Sequence, residues 1–396
     1  MDRWIRAKAP GSRSLIVARI LVVNAGSSSL KLRLLDRDDR LLADHELDAP
    51  GGGFDEEELA DLVRGLDGVE AVGHRVVHGG DRFAGPVQLT PDIEVYLGSL
   101  TDLAPIHQPP ALSAIQVTSR LLPEVPAVAC FDTAFHASLP PAAATYAIPR
   151  EWRQRYPLLR YGFHGLSHAW ASARAAEMSG RPPPELRVVS CHLGAGASLA
   201  AVRDGRSIDT TMGFTPLEGL VMATRSGTVD PGLLLWLQRH VRVDASELED
   251  ALERRSGLRA LAGTPDMREV VAGASRGEAD AQLALDVYSH RLRASIAAMA
   301  AAMDGLDALV FTGGVGERAP MVRAAAASGL GFLGIALDPA RNEQASPDAE
   351  IGGEAASVRT LVVQAREDLQ IAREVRPLLA AHSEVQTDPE RAHDET

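Results

Sequence analysis

Two segments that lie half a chain apart share one pattern of strands and turns. In the first, an apolar strand at residues 20–23 meets a turn of small residues at 24–29, and two further strands follow at 30–35 and 41–47. The second segment repeats this from a strand at 186–190 through a small-residue turn at 194–198. A shift of 168 residues carries Asn24 onto His192 and Leu34 onto Val202. Two such β-β-β starts predict a duplicated α/β architecture.

The rest of the sequence alternates short apolar runs with helical patterns. Strands are expected at 69–77, 126–131, 308–311 and 358–363, and helices at 111–122, 168–178 and 279–303. This alternation favours mainly parallel sheets covered by helices. We predict a disordered extension at 1–18, an N-terminal domain at 19–150, a second domain at 151–380 and a disordered tail at 381–396, with C-terminal helices that can pack back on the first domain.

The charge and cysteine content exclude several classes of partner. The formal net charge is −13, so the surface as a whole repels nucleic acid and anionic membranes, and an anionic substrate would need a local group of arginines or lysines. No apolar run reaches the about 18 residues of a membrane span, and Arg19 interrupts the apolar segment that would otherwise resemble a signal peptide. Cys130 and Cys191 form neither a disulfide framework nor a zinc motif. We expect a cytoplasmic protein with no nucleic-acid or membrane partner.

Polar residues stand at the carboxyl ends of the apolar runs. They are Asn24, Arg75, Asp132, His192, Thr312 and Glu367. Ligands bind at this edge of open α/β sheets, and a core alone would not need polar groups there. The pattern predicts one cleft between two related halves.

Three glycine-rich turns are candidate phosphate sites. Backbone N–H groups in such turns can converge on a phosphate because no side chain blocks the approach. The turns at 24–29 and 194–198 fit this description, although each could be an ordinary tight hairpin. A third, FTGGVGER at 311–318, follows a strand and precedes a helical pattern, as a nucleotide site would. None is a Walker-type motif, which excludes the P-loop fold.

The cationic and acidic residues suit phosphoryl transfer. That reaction needs cations on the transferring oxygens and on the substrate's charge, and Arg75, Arg225 and a histidine fit this need. Asp132 and Glu367, with Asn24, could hold Mg²⁺, although either acid could simply cap or begin a helix. The H-x₃-H spacings at 74/78 and 164/168 could indicate a zinc site, but no H-E-x-x-H motif occurs.

Seven segments resemble the signature sequences of the acetate kinase family. They are VVNAGSSSLKL, GHRVVHGG, APIHQPP, FDTAFH, YGFHGLSH, DTTMGFTPLEGLVMATRSGTVDPG and FTGGVGER, in that family's order. The resemblance implies two duplicated β-β-β-α-β-α-β-α domains of the actin/ribonuclease H-like type, with the active site in the cleft between them. It also implies a homodimer that moves phosphate between ATP and acetate, giving ADP and acetyl phosphate, with Mg²⁺ or Mn²⁺. Direct in-line transfer is the simpler mechanism, because a carboxylate is already a nucleophile.

The resemblance also implies roles for individual residues. Asn24 and Glu367 would hold the metal and Lys31 would contact ATP. Arg75 and Arg225 would contact the acetate carboxylate and the transferring phosphoryl group, His164 would stabilise the transition state, and Asp132 would be the catalytic carboxylate. The acetate methyl group would be walled by Val77, Ile106, Phe163 and Pro216. The nucleotide would be bound by the turn His192, Leu193, Gly194, Ala195 and Gly196, by Asp266, Met267 and Arg268, and by the loop Gly314, Val315, Gly316, Glu317 and Arg318.

Two of these nucleotide positions depart from the family pattern, and other functions stay open. Ala195 and Arg318 each stand where the family has Asn, so the nucleotide contacts are expected to differ. The alternatives are a propionate or butyrate kinase of the same family, a nucleotide-binding pseudoenzyme, and an ATP-driven binding protein of the same superfamily. The last would need no arginine that reads a carboxylate, and Arg75, His164 and Arg225 therefore argue against it.

Overall fold

The computed structural model describes residues 18–26, 29–49 and 53–387, the last six of them by their backbone alone. Ser27 and Ser28 of the first small-residue turn, most of the N-terminal extension, and residues 388–396 of the expected tail lie outside the described residues. Residues 381–387, also expected in the disordered tail, are helical. The strands are β1 Ile20–Ala25, β2 Ser29–Leu35, β3 Leu41–Asp48, β4 Ala71–Val76, β5 Val87–Gln88, β6 Ala127–Phe131, β7 Arg187–Leu193, β8 Ala197–Arg203, β9 Arg206–Thr210, β10 Ala308–Thr312, β11 Ala349–Glu350 and β12 Arg359–Val362.

The α-helices connect and cover these strands. They are α1 Glu56–Arg64, α2 Pro91–Gly98, α3 Gln108–Leu121, α4 Pro141–Ala144, α5 Arg150–Arg155, α6 Gly165–Ser179, α7 Pro231–Trp236, α8 Ala245–Arg254, α9 Gly257–Ala262, α10 Met267–Ser275, α11 Ala279–Ala302, α12 Gly313–Arg318, α13 Pro320–Ala327, α14 Pro339–Glu343 and α15 Glu367–Thr387. A short π-helical turn, Leu237–Val241, extends α7. No helix in the described part of the chain is long and apolar enough to cross a membrane.

The two sheets have the same topology, which confirms the duplicated α/β fold. The first sheet has the strand order β3-β2-β1-β4-β6-β5, and the second, read in the same direction, has the order β9-β8-β7-β10-β12-β11. In each order, the first three strands are antiparallel to their neighbours, and the fourth and fifth strands run parallel to the third. The sixth strand is antiparallel to the fifth. Asn24 pairs with Arg75 across one sheet as His192 pairs with Thr312 across the other.

Two helices lie between the sheets and tie them into one core. Residues of β1, β7 and β10 form a buried cluster with α6 and α15: Ile20, Val22, Val188, Val310, Trp170, Ile371 and Val375. The alternate residues of β1, Leu21 and Val23, pack on the opposite face with α1 and α3. Both faces of the strands are therefore buried, which explains their nearly continuous apolar runs.

The last helix returns to the first sheet. A Cβ placed on Gly73 of β4 would lie 2.5 Å from Cγ2 of Ile371 and 2.9 Å from Cγ2 of Val375, so α15 contacts the strand backbone directly. This contact brings Glu367, the first residue of α15, to the carboxyl ends of the strands. The division of the chain near residue 150 stays a prediction.

The prediction of a loop at 314–318 is wrong, because these residues are helical. They belong to α12, which starts directly after β10. The buried guanidinium of Arg323 donates to the carbonyl oxygens of Gly316 (2.9 Å) and Glu317 (2.8 Å). It thereby satisfies the carbonyls at the end of this short helix, which would otherwise lack partners. Sequence periodicity could not detect a helix of six residues with three glycines.

Candidate active site

A buried ion pair joins the ends of two parallel strands. Arg75 of β4 donates from Nη2 to Oδ2 of Asp132 at 2.6 Å and from Nε to Oδ1 at 3.1 Å, and Asp132 directly follows β6. Their side chains are only 11% and 1% exposed. The two parallel bonds fix the plane of the guanidinium as well as its position.

Asn24 and Glu367 complete this cluster from two other elements. Arg75 Nη1 donates to Oδ1 of Asn24 at 3.3 Å, and Asn24 Nδ2 donates to Oε2 of Glu367 at 2.8 Å. The structure thus brings together four of the six strand-end residues singled out in the sequence. Asn24, Glu367, Lys31, His192 and Asp368 line a small cavity of about 200 Å³ beside the cluster.

Burial and charge act in opposite directions on the two carboxyl groups. Burial raises the pKa of Asp132, and the adjacent charge of Arg75 opposes the rise. Burial by itself would also raise the pKa of Glu367, but the charge of Arg75 and the hydrogen bond from the Asn24 amide hold it below its ordinary value. Glu367 is therefore ionised at neutral pH and available as an oxygen ligand for a cation.

His164 and Arg225 converge on the second small-residue turn. His164 precedes α6 in a left-handed conformation (φ 57°) and stacks on His192 with ring centroids 4.3 Å apart. A Cβ placed on Gly196 would lie 3.3 Å from Nε2 of His164 and 3.2 Å from Nη2 of Arg225. A side chain here would therefore press on both groups, and the bare glycine backbone leaves the two nitrogen atoms facing the turn.

The remaining contacts of Arg225 fix its position. Its Nη1 donates to the carbonyl oxygen of Pro216 at 2.8 Å, and its Nε lies 3.8 Å from Oε2 of Glu253. Burial lowers the pKa of Arg225, and Glu253 opposes this. Sequence reasoning missed Glu253, because an acidic residue near the end of an acidic amphipathic helix looks like an ordinary surface residue.

The turn also borders a large cavity of about 2150 Å³. Most predicted nucleotide residues line it: Gly194, Ala195, Asp266, Met267, Arg268, Gly314, Val315 and Arg318. Arg225 and Ile106 line it too, and Gly314 lines both cavities. Asp266 caps α10 and pairs with the exposed side chain of Arg268 at 2.5 Å. The space is ample for a ligand of nucleotide size.

Other predicted residues lie away from this cavity wall. Leu193 is buried in the core, Gly316 and Glu317 are bound by Arg323, and the Glu317 carboxylate accepts from the Ala365 amide at 2.9 Å. Val77 and Phe163, expected beside the acetate methyl group, are buried in one apolar cluster. Pro216 contacts Arg225 through its carbonyl group.

The oxygen atoms near Lys31 suit a hard divalent cation. Asn24 offers an amide oxygen and Glu367 a carboxylate, which are ligands that Mg²⁺ prefers. In the described residues, no group of three or more His, Cys, Asp or Glu is placed to hold a metal ion. A metal here would take most of its ligands from substrate phosphates and water, as Mg²⁺ commonly does. The residues fit Mg²⁺ and do not form a zinc site of protein ligands.

Comparison with known proteins agrees with this geometry. The model of the acetokinase family matches residues 55–373. The acetate kinase of Leifsonia xyli is 47% identical, with 92% of this chain and 100% of the relative covered, and that of Gloeobacter violaceus is 50% identical over 77% of this chain and 76% of the relative.

Two solved structures are similar over almost their full length. The Porphyromonas gingivalis acetate kinase has a TM-score of 0.83 at 32% identity, covering 91% of this chain and 99% of its own. A propionate kinase from Francisella tularensis also has a TM-score of 0.83, at 36% identity, covering 90% of this chain and 98% of its own.

Buried neutral histidines should make the fold sensitive to acid, and His74 tests this. His74 neighbours Arg75 on β4, its Nε2 lies 3.2 Å from Oγ1 of Thr118, and burial lowers its pKa to about 3. As the pH falls below about 6.5, the unfolded chain binds a proton at this residue and the folded chain does not. The free energy of unfolding should therefore fall by about 1.4 kcal/mol per pH unit from this group, until the pH nears its folded value.

Urea unfolding of the wild type and of His74→Gln between pH 7 and pH 5 measures the effect. The stability difference between the two proteins should shrink with falling pH by that amount. His290→Gln, at an exposed position of α11, is the matched control and should give a constant difference. A constant difference for His74→Gln as well would show that His74 ionises normally in the folded protein.

Proposed function

The chain belongs to the acetokinase family, and from this premise we propose that it is an acetate kinase, which transfers the γ-phosphoryl group of ATP to acetate and gives acetyl phosphate and ADP. The observation that carries the proposal is the convergence of Arg225 and His164 on Gly196, between a nucleotide-sized cavity and the Arg75 cluster. A carboxylate is already a nucleophile at pH 7. The difficulty is to bring this anion against a polyanion, and fixed cations offset that repulsion.

Arg75 is suited to hold the acetate carboxylate. A guanidinium has five N–H groups, and three of those on Arg75 are used by Asp132 and Asn24. One N–H remains on each of Nη1 and Nη2, which together match the two oxygens of a carboxylate. In this role Asp132 keeps the guanidinium plane fixed and balances its charge while acetate binds.

Arg225 and His164 would meet the transferring phosphoryl group. Arg225 uses Nη1 for the Pro216 carbonyl, so Nη2, beside Gly196, is directed at the reacting oxygens. His164 would contact the same phosphoryl group through Nε2, since its Nδ1 is bonded to Ser198 at 2.9 Å. Two donors placed in advance stabilise charge on the equatorial oxygens without reorganisation during the reaction.

The nucleotide would occupy the large cavity and its phosphates would reach the small one. Asp266, Met267, Arg268 and Arg318 line the large cavity, while Gly314 lines both cavities. Lys31 lines the small cavity and lies 3.7 Å from Glu46, a surface ion pair weak enough for a phosphate to replace. Asn24 and Glu367 would hold Mg²⁺, or Mn²⁺ in its place, and the bound ion neutralises phosphate charge.

The size of the acyl pocket decides between acetate and longer acids. We assign its wall to Val77, Ile106, Phe163 and Pro216. Val77 and Phe163 are almost completely buried, which leaves little room to enlarge the pocket. One methylene group in such a pocket changes selectivity by about 10- to 200-fold. The likeness to a propionate kinase structure makes propionate the natural competitor.

A homodimer is part of this proposal. Four large apolar side chains on α7 and the turn after it are about half exposed: Leu233, Leu235, Trp236 and Val241. Such a patch commonly marks a protein interface, and we assign it to a second copy of the chain. Sedimentation equilibrium should give the mass of a dimer and, for Trp236→Glu, that of a monomer. A monomeric wild type would contradict the assignment.

We also propose a cytoplasmic location and the domain division near residue 150. Cys130 and Cys191 are both buried and free, which suits a reducing compartment. Cell fractionation tests the location, and an extracytoplasmic fraction would contradict it. Limited proteolysis tests the boundary: the protease should cleave the chain near residue 150 before it cleaves within either sheet.

An acyl hydroxamate assay tests the proposed reaction. The enzyme is given ATP, Mg²⁺ and, separately, acetate, propionate or butyrate, and hydroxylamine traps the acyl phosphate. We expect the highest kcat/KM with acetate, by about tenfold or more over propionate. A preference for a longer acid would change the substrate and keep the mechanism. No product from any acid, with ATP still bound, would contradict the proposal and favour a pseudoenzyme.

Removal of Arg225 should affect turnover above all. We expect Arg225→Ala to lower kcat by about 100-fold or more, the scale known for arginines that contact a transferring phosphoryl group. Arg64→Ala is the control, because Arg64 is exposed on α1 and pairs with Asp61 at the surface. Near-normal kcat in Arg225→Ala would exclude the role given to this residue.

A further inference from the structure

His164 is the first member of a chain of alternating imidazole and hydroxyl groups. Its Nδ1 lies 2.9 Å from Oγ of Ser198, which lies 2.8 Å from Nε2 of His168. Nδ1 of His168 lies 2.9 Å from Oγ of Ser190, where the chain ends. The chain runs from α6 to the central strands of the second sheet, and Ser190, His168 and Ser198 are fully buried.

Both histidines of this chain are neutral. Burial lowers the pKa of His164 and of His168 well below the ordinary value, and neighbouring imidazoles add to the effect. A neutral imidazole has one donor and one acceptor nitrogen, and a hydroxyl has a single proton to donate. Among the described residues the Ser198 hydroxyl makes no side-chain hydrogen bond besides those to the two rings, so its proton goes to one of them. The bonds then all point the same way along the chain, and only two arrangements of the protons remain.

Ser190 decides between the two arrangements. Among the described residues its hydroxyl makes no side-chain hydrogen bond besides the one to His168. If His168 donated to Ser190, the hydroxyl proton of Ser190 would be buried without an acceptor, which costs about 1–3 kcal/mol. Ser190 therefore donates to Nδ1 of His168, Nε2 of His168 donates to Ser198, and Ser198 donates to Nδ1 of His164. The proton of His164 is then on Nε2.

We propose that Ser190, His168 and Ser198 are positioning residues that hold His164 in the Nε2–H tautomer, so that it presents a hydrogen-bond donor beside Arg225. The proposal about the tautomer stands on the free protein. Its use on a phosphoryl oxygen rests on the proposed function.

The physical reason for such a device lies in the charge of the substrate. Like Nη2 of Arg225, Nε2 of His164 borders Gly196, and it lies 3.3 Å from a Cβ placed on that residue. In the other tautomer this position would carry a lone pair, which repels an anionic oxygen. A neutral imidazole in water exchanges between its two tautomers. In the protein, the buried chain fixes which of the two nitrogens carries the proton.

Nitrogen NMR of ¹⁵N-histidine-labelled enzyme reads the tautomer directly. The His164 and His168 signals are identified by their loss in His164→Asn and His168→Asn. We expect both rings to be protonated on Nε2 and unprotonated on Nδ1 in the wild type. Protonation of His164 on Nδ1 would overturn the proposal.

Ser190→Ala tests transmission along the chain, since Ser190 lies three hydrogen bonds away from His164. Without the Ser190 hydroxyl, nothing fixes the direction of the bonds, so we expect a mixture of tautomers at His164 and a fall in kcat of about 2- to 10-fold, with both KM values nearly unchanged. Ser198→Ala removes the direct contact and should lower kcat by about 5- to 100-fold. An unchanged His164 tautomer in Ser190→Ala would overturn the proposal.

Ser172→Ala is the matched control on α6. The Ser172 hydroxyl is buried and donates to the backbone carbonyl of His168 at 2.8 Å, without contact to either ring. This variant should keep both the tautomer and kcat. Failure of the proposed function would be seen separately, as absence of acyl hydroxamate from a wild type in which His164 still carries its proton on Nε2.

Discussion

The positions of the other residues of the site depend on the buried ion pair between Arg75 and Asp132. Removing one partner of such a pair leaves an uncompensated charge, at a cost of about 3–5 kcal/mol. The pair therefore requires β4 and β6 to end at the same level, and its remaining hydrogen bonds require Asn24 from β1. Glu367 joins only because α15 packs back on β4 at Gly73. A residue near the C-terminus thus completes a cluster built on the first strand.

The site concentrates positive charge in a protein that is negatively charged overall. The net charge is −13, yet Arg75 and Arg225 are both largely buried at one place and are held by nearby carboxylates and carbonyl groups. The histidines there are neutral, because burial disfavours their charged form. They therefore contribute directed hydrogen bonds and no added charge, and in the proposed reaction the charge of the substrates is opposed by Arg75, Arg225, Lys31 and the metal ion.

Much of this arrangement could be predicted from the sequence. The repeat between residues 20 and 203 predicted two related sheets, and polar residues at strand ends predicted where Asn24, Arg75, Asp132 and Glu367 meet. The chain from Ser190 to His164 could not be predicted, since a serine inside a buried strand looks like any small residue and its partner lies more than twenty positions away. Nor could α12 be predicted, because its end is satisfied by Arg323, a tertiary contact. Periodic patterns in a sequence predict the strands and the sheet edge where ligands bind. Individual buried hydrogen bonds can be identified only in the folded structure.

The central claim is that the acetate carboxylate attacks the γ-phosphorus directly, with both substrates held between Arg75 and Arg225. The stereochemical course at phosphorus tests it most directly. ATP made chiral at the γ-phosphoryl group with oxygen isotopes is turned over with acetate, and the configuration of the phosphoryl group in acetyl phosphate is determined. Direct in-line transfer predicts inversion of configuration. Retention would mean two successive transfers through a phosphorylated enzyme and would contradict the account.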